Sequence, residues 1–456
     1  MSGGDFNRLP VLDRRRAGVL LHLSSLAHNP GGALGAAAYR VVDWLADAGF
    51  SVWQLLPLGP TGADGSPYWA RSDQAGNAAF LEPADINQSD LDEFTGRNAH
   101  WLEDYALFEA IGRAHSGTAW WQWPAPLRDR DARALNEARR KHARLLQDIR
   151  REQHLFDRQW SSLRRYAQQR DIRLFGDLPI YVAPDSVTTW ANRAQFQLDG
   201  EGKPTSVAGV PPDYFSEDGQ LWGNPLYDWE RMRSEQFAFW RARFASQLQR
   251  FDIVRIDHFR ALAAYWAVPF GAPNARGGQW RPAPGREMLQ AVADEQHALP
   301  FIAEDLGLIT PDVVALRKHF ALPGMRVLQF GFDGDASNPH LLHNIERDSV
   351  VYTGTHDNDT TLGWYRSIGE HTRSRLQRYL GGASQDMPWA LNRMALASVG
   401  QLAVLPLQDL LGLGSEARLN TPGTVGGNWS WRVQVNSLTR ELAQSARDLN
   451  DIYGRF

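Results

Sequence analysis

The chain has no cysteine among its 456 residues. That excludes a disulfide framework, a thiolate nucleophile and any cysteine metal site. Net charge is also small, −4 from 48 basic and 52 acidic residues, which gives no field to draw in nucleic acid or an anionic membrane. Long hydrophobic runs are missing. The opening MSGGDFNRLPVLDRRR is polar and charged where a signal peptide needs an apolar centre. The first apolar stretch, AGVLLHLSSLA, is too short to span a bilayer. A soluble, cytoplasmic chain is expected. No His-x-x-x-His pair or EF-hand loop stands out, and FDGDASN (332–338) reads as a turn rather than a calcium site. GTVGGN (423–428) lacks the strand-then-helix setting and the lysine of a phosphate loop, and suits close backbone approach to a ligand.

Tryptophan is plentiful, with 18 residues. Aromatic faces stack on the apolar faces of pyranose rings, so this content fits a sugar-binding cleft, and equally a large core. Eight short apolar segments with little alternation read as buried parallel strands: 17–26, 51–58, 172–182, 251–259, 299–307, 325–332, 349–357 and 401–411. Helical periodicity fills most intervals. In 36–50, Val41, Val42, Leu45 and Ala48 share one face and Gly49 stops the helix; Thr310 and Pro311 open another as N-cap and first helical residue. Strand and helix repeated eight times close as a (β/α)8 TIM barrel, an α/β fold.

Two connections are too long for simple loops, 59–171 after the second strand and 183–250 after the third. They are expected to be large helical insertions walling the C-terminal face of a single catalytic domain spanning 1–456. The Arg-rich run 131–160 is interleaved with acids and reads as a solvated helix face. The segment after the eighth strand ends in a helix placing Leu438, Leu442, Leu449 and Ile452 on one side, and leaves no room for a C-terminal β-domain.

Three strand-end segments carry acids about fifty residues apart, roughly one helix plus loops per barrel strand. Carboxylates at the C-terminal ends of barrel strands point into the active-site mouth. In VRIDHFR, Asp257 follows Arg255 by two positions; residues two apart on a strand share a face, so Arg255 can orient the carboxylate for attack. In FIAEDLG, Glu304 follows an apolar run that would raise its pKa by desolvation, as a general acid needs. Asp305 competes, but adjacent strand residues face opposite ways and only one enters the mouth. In GTHDND, His356 and Asp357 suit a clamp on sugar hydroxyls that favours an oxocarbenium-like state. A nucleophile and an acid flanking a sugar–sugar bond equip a retaining glycosidase or transglycosylase.

These three motifs, in this order, resemble the nucleophile, acid and stabiliser motifs of the α-amylase clan. FGDLPIYV (175–182), PPDYFSEDGQLWGNPLY (211–227), GSPYW (65–69) and TPGTVGGNW (421–429) narrow the resemblance to the amylomaltases, or 4-α-glucanotransferases, of glycoside hydrolase family 77. It spans residues 20 to 430. The resemblance implies retaining transfer of 1,4-α-glucan segments to the 4-hydroxyl of glucose or another glucan, with maltooligosaccharides as substrates and no metal cofactor. It makes Asp257 the nucleophile, Glu304 the acid/base and Asp357 the stabiliser. Tyr68, Asp213, Trp222, Arg255, His356 and Asn428 become sugar-contacting or supporting positions. Asp177 matches the acidic position of the clan's third-strand motif. NARGGQWRPAPG (274–285) falls where the family has a mobile lid loop, with Gly277 and Gly278 as hinge and Trp280 at its tip. The long N-terminal extension of some bacterial relatives is not expected. The same carboxylates would also serve an α-glucan hydrolase, and a non-catalytic glucan-binding protein is the remaining alternative.

Overall fold

The computed structural model describes residues 12–26, 32–62, 64–212, 216–296, 299–382, 386–424, 426–434 and 436–456. Among these, twelve strands occur in chain order: β1 (Arg16–Leu20), β2 (Val52–Gln54), β3 (Arg173–Leu178), β4 (Ser206–Val210), β5 (Gln220–Pro225), β6 (Ile253–Ile256), β7 (Ala264–Pro269), β8 (Gln279–Pro282), β9 (Phe301–Ala303), β10 (Gly324–Val327), β11 (Ser349–Tyr352) and β12 (Leu402–Pro406). Eight of them form one parallel sheet in the order β10-β11-β12-β1-β2-β3-β6-β9. The Ala303 N–H donates to Pro323 O at 2.9 Å across the remaining gap, so β9 meets the start of β10 and the sheet closes on itself. This is the expected (β/α)8 barrel, with one strand in each of the eight segments read from the sequence.

Both faces of each strand are buried, which is why the sequence shows little alternation. Inside, Leu20, Val52, Phe175, Ile253, Ile302 and Val350 pack together with their equivalents from β10 and β12. Outside, the alternate residues Val19, Trp53, Leu174, Val254 and Val351 meet the surrounding helices. The helix Ala143–Gln168 packs on β3, and Ala238–Arg250 on β3 and β6. The helix Ala36–Asp47 buries Val41, Val42 and Leu45, and ends where Gly49 turns left-handed at φ +74°. Against it lies the helix Arg440–Ile452, which buries Ala443, Ala446 and Leu449 but leaves Ile452 exposed. Several strands are shorter than their apolar runs. β12 gives way at once to a helical turn, Leu407–Leu410, whose residues are all buried, because the chain stays under cover after leaving the sheet.

The first long connection is helical, with Gln88–Ala114 and Ala143–Gln168 as its main pair. The second is not wholly so. β4 and β5 join β7 and β8 in a four-stranded antiparallel sheet, order β5-β4-β7-β8. The segment 274–285 is therefore only in part a loop, since 279–282 is strand. Trp280 sits opposite Trp266 in the β7–β8 ladder, with ring centroids 5.2 Å apart, so it is not at a tip. Gly278 is no free hinge either: a Cβ there would lie 2.2 Å from the Trp266 indole nitrogen. The tryptophan content has a similar explanation. Trp53, Trp120, Trp190 and Trp240 are fully buried and fill the core. Among the described residues no helix is long and apolar enough to cross a membrane.

Candidate active site

Alternation on the strands decides what enters the barrel mouth. Ile253 faces the interior, so Arg255 and Asp257, two and four residues on, rise on the same face. Phe175 likewise sends Asp177 inward, and Ile302 sends Glu304 inward. Asp305 then points outward, where it is buried against Arg317 at 3.2 Å and Arg326 at 3.3 Å and accepts the Met325 N–H at 2.7 Å. Of the two neighbouring acids, Glu304 is the one in the mouth.

The β3–β6 register sets Asp177 beside Arg255. The Arg255 guanidinium donates to both Asp177 oxygens, at 2.9 and 2.7 Å, and forms an ion pair with Asp257 Oδ1 at 2.8 Å. Burial alone would lower the Arg255 pKa, but Asp177 and Asp257 more than reverse this and hold it well above its ordinary value. It is a permanent cation locking Asp257 in place. The Tyr68 hydroxyl donates to Asp177 Oδ2 at 2.7 Å. Burial, reinforced by Asp177, keeps that phenol protonated.

Glu304 accepts the His258 N–H at 2.7 Å on one oxygen and the Leu306 N–H at 3.1 Å on the other. Both bonds favour the ionised form, as does Arg255. Burial outweighs them, with help from Asp257, and pushes the carboxyl up to about 8. To present its N–H, His258 adopts a left-handed conformation, φ 48° and ψ 49°, strained for a residue with a side chain. Its ring meets Trp222 edge-on at 4.8 Å, and burial drops its pKa to about 4, leaving a neutral imidazole.

Beyond β11, Asp357 Oδ1 accepts the Asn420 side-chain N–H at 2.6 Å, and its main-chain oxygen accepts from Arg418 at 2.8 Å. His356 lies 3.4 Å from Asp357 and stacks on Tyr68 at 5.1 Å with a 16° tilt; Trp429 adjoins both rings. Tyr68 thus bridges the Asp177–Arg255–Asp257 chain to the His356–Asp357 pair. Asn428 engages its carboxamide within its own loop, accepting from Thr421 N at 3.0 Å and donating to Thr424. Asp213 lies outside the described residues. Three residues here escaped sequence reading. Asn420 and Arg418 approach Asp357 from sixty positions away, which no local pattern signals. His22, two residues past β1 and buried, has its pKa pulled to about 3 by burial, with His356 and Arg432 adding to the effect; a histidine in an apolar strand end was a usable signal.

A closed (β/α)8 barrel with acids raised from the C-terminal ends of separate strands defines an enzyme of the carbohydrate-active barrel class. The family model described as 4-alpha-glucanotransferase matches residues 21–89 and 82–438. The chain belongs to the 4-α-glucanotransferase family, glycoside hydrolase family 77. It is 44% identical over 501 positions to a 4-alpha-glucanotransferase of Synechocystis sp., covering 98% of this chain and 99% of that protein. It is also 44% identical to one from Thermus thermophilus, covering 94% and 96%. Its structure superposes on amylomaltase from Streptococcus agalactiae in complex with acarbose with a TM-score of 0.93, at 31% identity, over 97% of this chain and all of that one. The Synechocystis alignment is longer than the chain itself, so that relative holds extra internal residues. The two stretches of the family match meet at 82–89.

Proposed function

We propose that the protein transfers 1,4-α-glucan segments between maltooligosaccharides, and to glucose, with retention at the anomeric carbon. The observation that carries this reading is the pairing of Asp257, held by the Arg255 cation, with Glu304, pushed up to about 8 at the neighbouring strand end. Asp257 attacks the anomeric carbon as the glycosidic C–O bond breaks, and Glu304 gives its proton to the departing 4-oxygen. Glu304, now a carboxylate, takes the proton from an acceptor 4-hydroxyl as that oxygen displaces Asp257. Asp357, with His356 beside it, holds sugar hydroxyls in the distorted ring. Tyr68 and Arg255 support the nucleophile, Trp222 walls the cleft beside His258, and Asp213 and Asn428 serve as sugar-contacting or supporting positions. Incubation with maltotriose tests the reading. Glucose plus a ladder of longer products is expected, whereas glucose and maltose alone would mark a hydrolase.

Transfer requires water to be kept out, because water is about 55 M and a sugar acceptor usually millimolar. The β7–β8 hairpin is suited to this. It rises directly after the nucleophile segment, and the Arg260 guanidinium stacks 3.8 Å above the Trp280 ring. Trp280→Ala is expected to release the hairpin and raise hydrolysis several-fold, counted as new reducing ends per transfer event. An unchanged ratio at several acceptor concentrations would reduce Trp280 to a brace for the small sheet.

A further inference from the structure

One buried acid takes no part in the scheme above. Asp409, in the helical turn after β12, is wholly buried. Among the described residues no cation pairs with it. Burial pushes its pKa up, opposed only by hydrogen bonds from Thr353 and Thr361. A buried carboxylate without a counter-charge is costly, and its three donors show what it holds. Thr353 Oγ1 donates to Oδ2 at 2.6 Å; the Thr361 N–H donates to Oδ1 at 2.7 Å and Thr361 Oγ1 to Oδ2 at 2.6 Å.

Thr353 is the first residue beyond β11, and Thr361 opens the helix Thr361–Ser367. Both are fully buried. The chain between them carries His356 and Asp357, with Asp357 midway. The loop has internal and lateral ties as well. Thr355 donates twice to Asn358 Oδ1 at 2.9 Å, and Asp359 accepts from Gln329 and Ser415. Gln329 also spans the loop, its N–H donating to Thr353 O at 3.2 Å and its side chain to Asp359 O, but among these contacts Asp409 is the residue that joins Thr353 to Thr361. An amide could keep all three contacts only if both threonine hydroxyls reversed from donor to acceptor.

We propose that Asp409 is a positioning residue, pinching together the two ends of the loop 353–361 and so fixing Asp357 against the bound sugar. This rests on the reading of Asp357 as stabiliser. The hydroxyls of Thr353 and Thr361 can turn to accept from an amide, so Asp409→Asn keeps the site filled and folded while loosening the pinch.

The test compares Asp409→Asn, Asp357→Asn and the double variant, assayed for kcat and KM on maltotriose and, for sensitivity, on an α-glucosyl fluoride donor. Displacement of a reacting group by about an ångström costs about 100-fold, so Asp409→Asn is expected to lower kcat about 10- to 100-fold with KM changed less than about threefold. If Asp409 acts through Asp357, the double variant falls no further than Asp357→Asn, within about twofold. A multiplied loss in the double variant, or an Asp409→Asn enzyme with normal kcat, overturns the proposal. Should Asp409→Asn fail to fold, Thr353→Val and Thr353→Ser replace it: kcat must fall in the first and recover in the second, and equal activity in both overturns the proposal. An Asp357→Asn enzyme with near-normal turnover would instead sink the stabiliser reading itself.

Discussion

Replacing Asp257 with asparagine is expected to lower turnover by about three orders of magnitude or more, because an amide oxygen cannot form the glycosyl ester. Folding should be unharmed. Arg255 keeps its bonds to both Asp177 oxygens, so no buried cation is left unpaired, and the amide retains an acceptor for the guanidinium. Removing one of the two carboxylates crowded around Arg255 should leave the thermal midpoint level or slightly higher, as often happens when an active-site charge is relieved. Glucan binding should persist, since the shape is kept. The measurements are glucose release from maltotriose, binding of an unreacted oligosaccharide by calorimetry, and a melting curve. Retention of more than a few per cent of activity would mean that another group attacks the sugar.

Glu304→Gln is expected to show a second large loss, about 100- to 10,000-fold, the usual range for a general acid, but only with donors whose leaving group needs a proton. An α-glucosyl fluoride needs none. With that donor the variant should form a glucosyl adduct that resolves slowly, detectable as added mass on the peptide carrying Asp257. Equal loss with both donors would argue that Glu304 only braces the loop after β9. The pH dependence gives an independent check. The folded-state pKa of Glu304 is raised, so the proton needed for catalysis is present below about 8 and lost above it. For ordinary glucans kcat/KM should fall as pH rises through about 8. In Glu304→Gln that alkaline limb should vanish.

The barrel was legible because a strand buried on both faces leaves a compact apolar run, and eight such runs survived whatever lay between them. The mouth was legible for the same reason. Once Ile253, Phe175 and Ile302 point inward, alternation delivers Asp257, Asp177 and Glu304, and sends Asp305 away. The small antiparallel sheet was not legible: β5 and β8 are half exposed, carry Gly, Pro and Arg, and show neither an apolar run nor clean alternation. For Trp280, a glycine pair suggested mobility where one of the two glycines serves close packing. Asp409 did leave a trace, an acid within the apolar run LPLQDLL, which is rare unless the side chain is engaged. Its partners, some fifty residues earlier in the chain, left none. Asn420 and Arg418 belong to the same class, side chains whose meaning lies in a contact far along the sequence.

The bond from Tyr68 to Asp177 divides the long first connection into two kinds of territory. Before the turn at Phe80 the chain is tied to the barrel: Tyr68 rests on the barrel interior beneath Trp429 and His356, and Leu34 N–H donates to Phe80 O at 2.9 Å. A change of length there would drag on Tyr68, which bonds Asp177, the acid that pairs with Arg255 beside Asp257. Past that point the chain enters the helix Gln88–Ala114, whose opening residues 88–90 are exposed before Leu91 and Phe94 turn inward, and the two stretches of the family match meet at 82–89. A change of length at 82–89, where most residues are exposed, is therefore expected to leave the Tyr68–Asp177 bond in place.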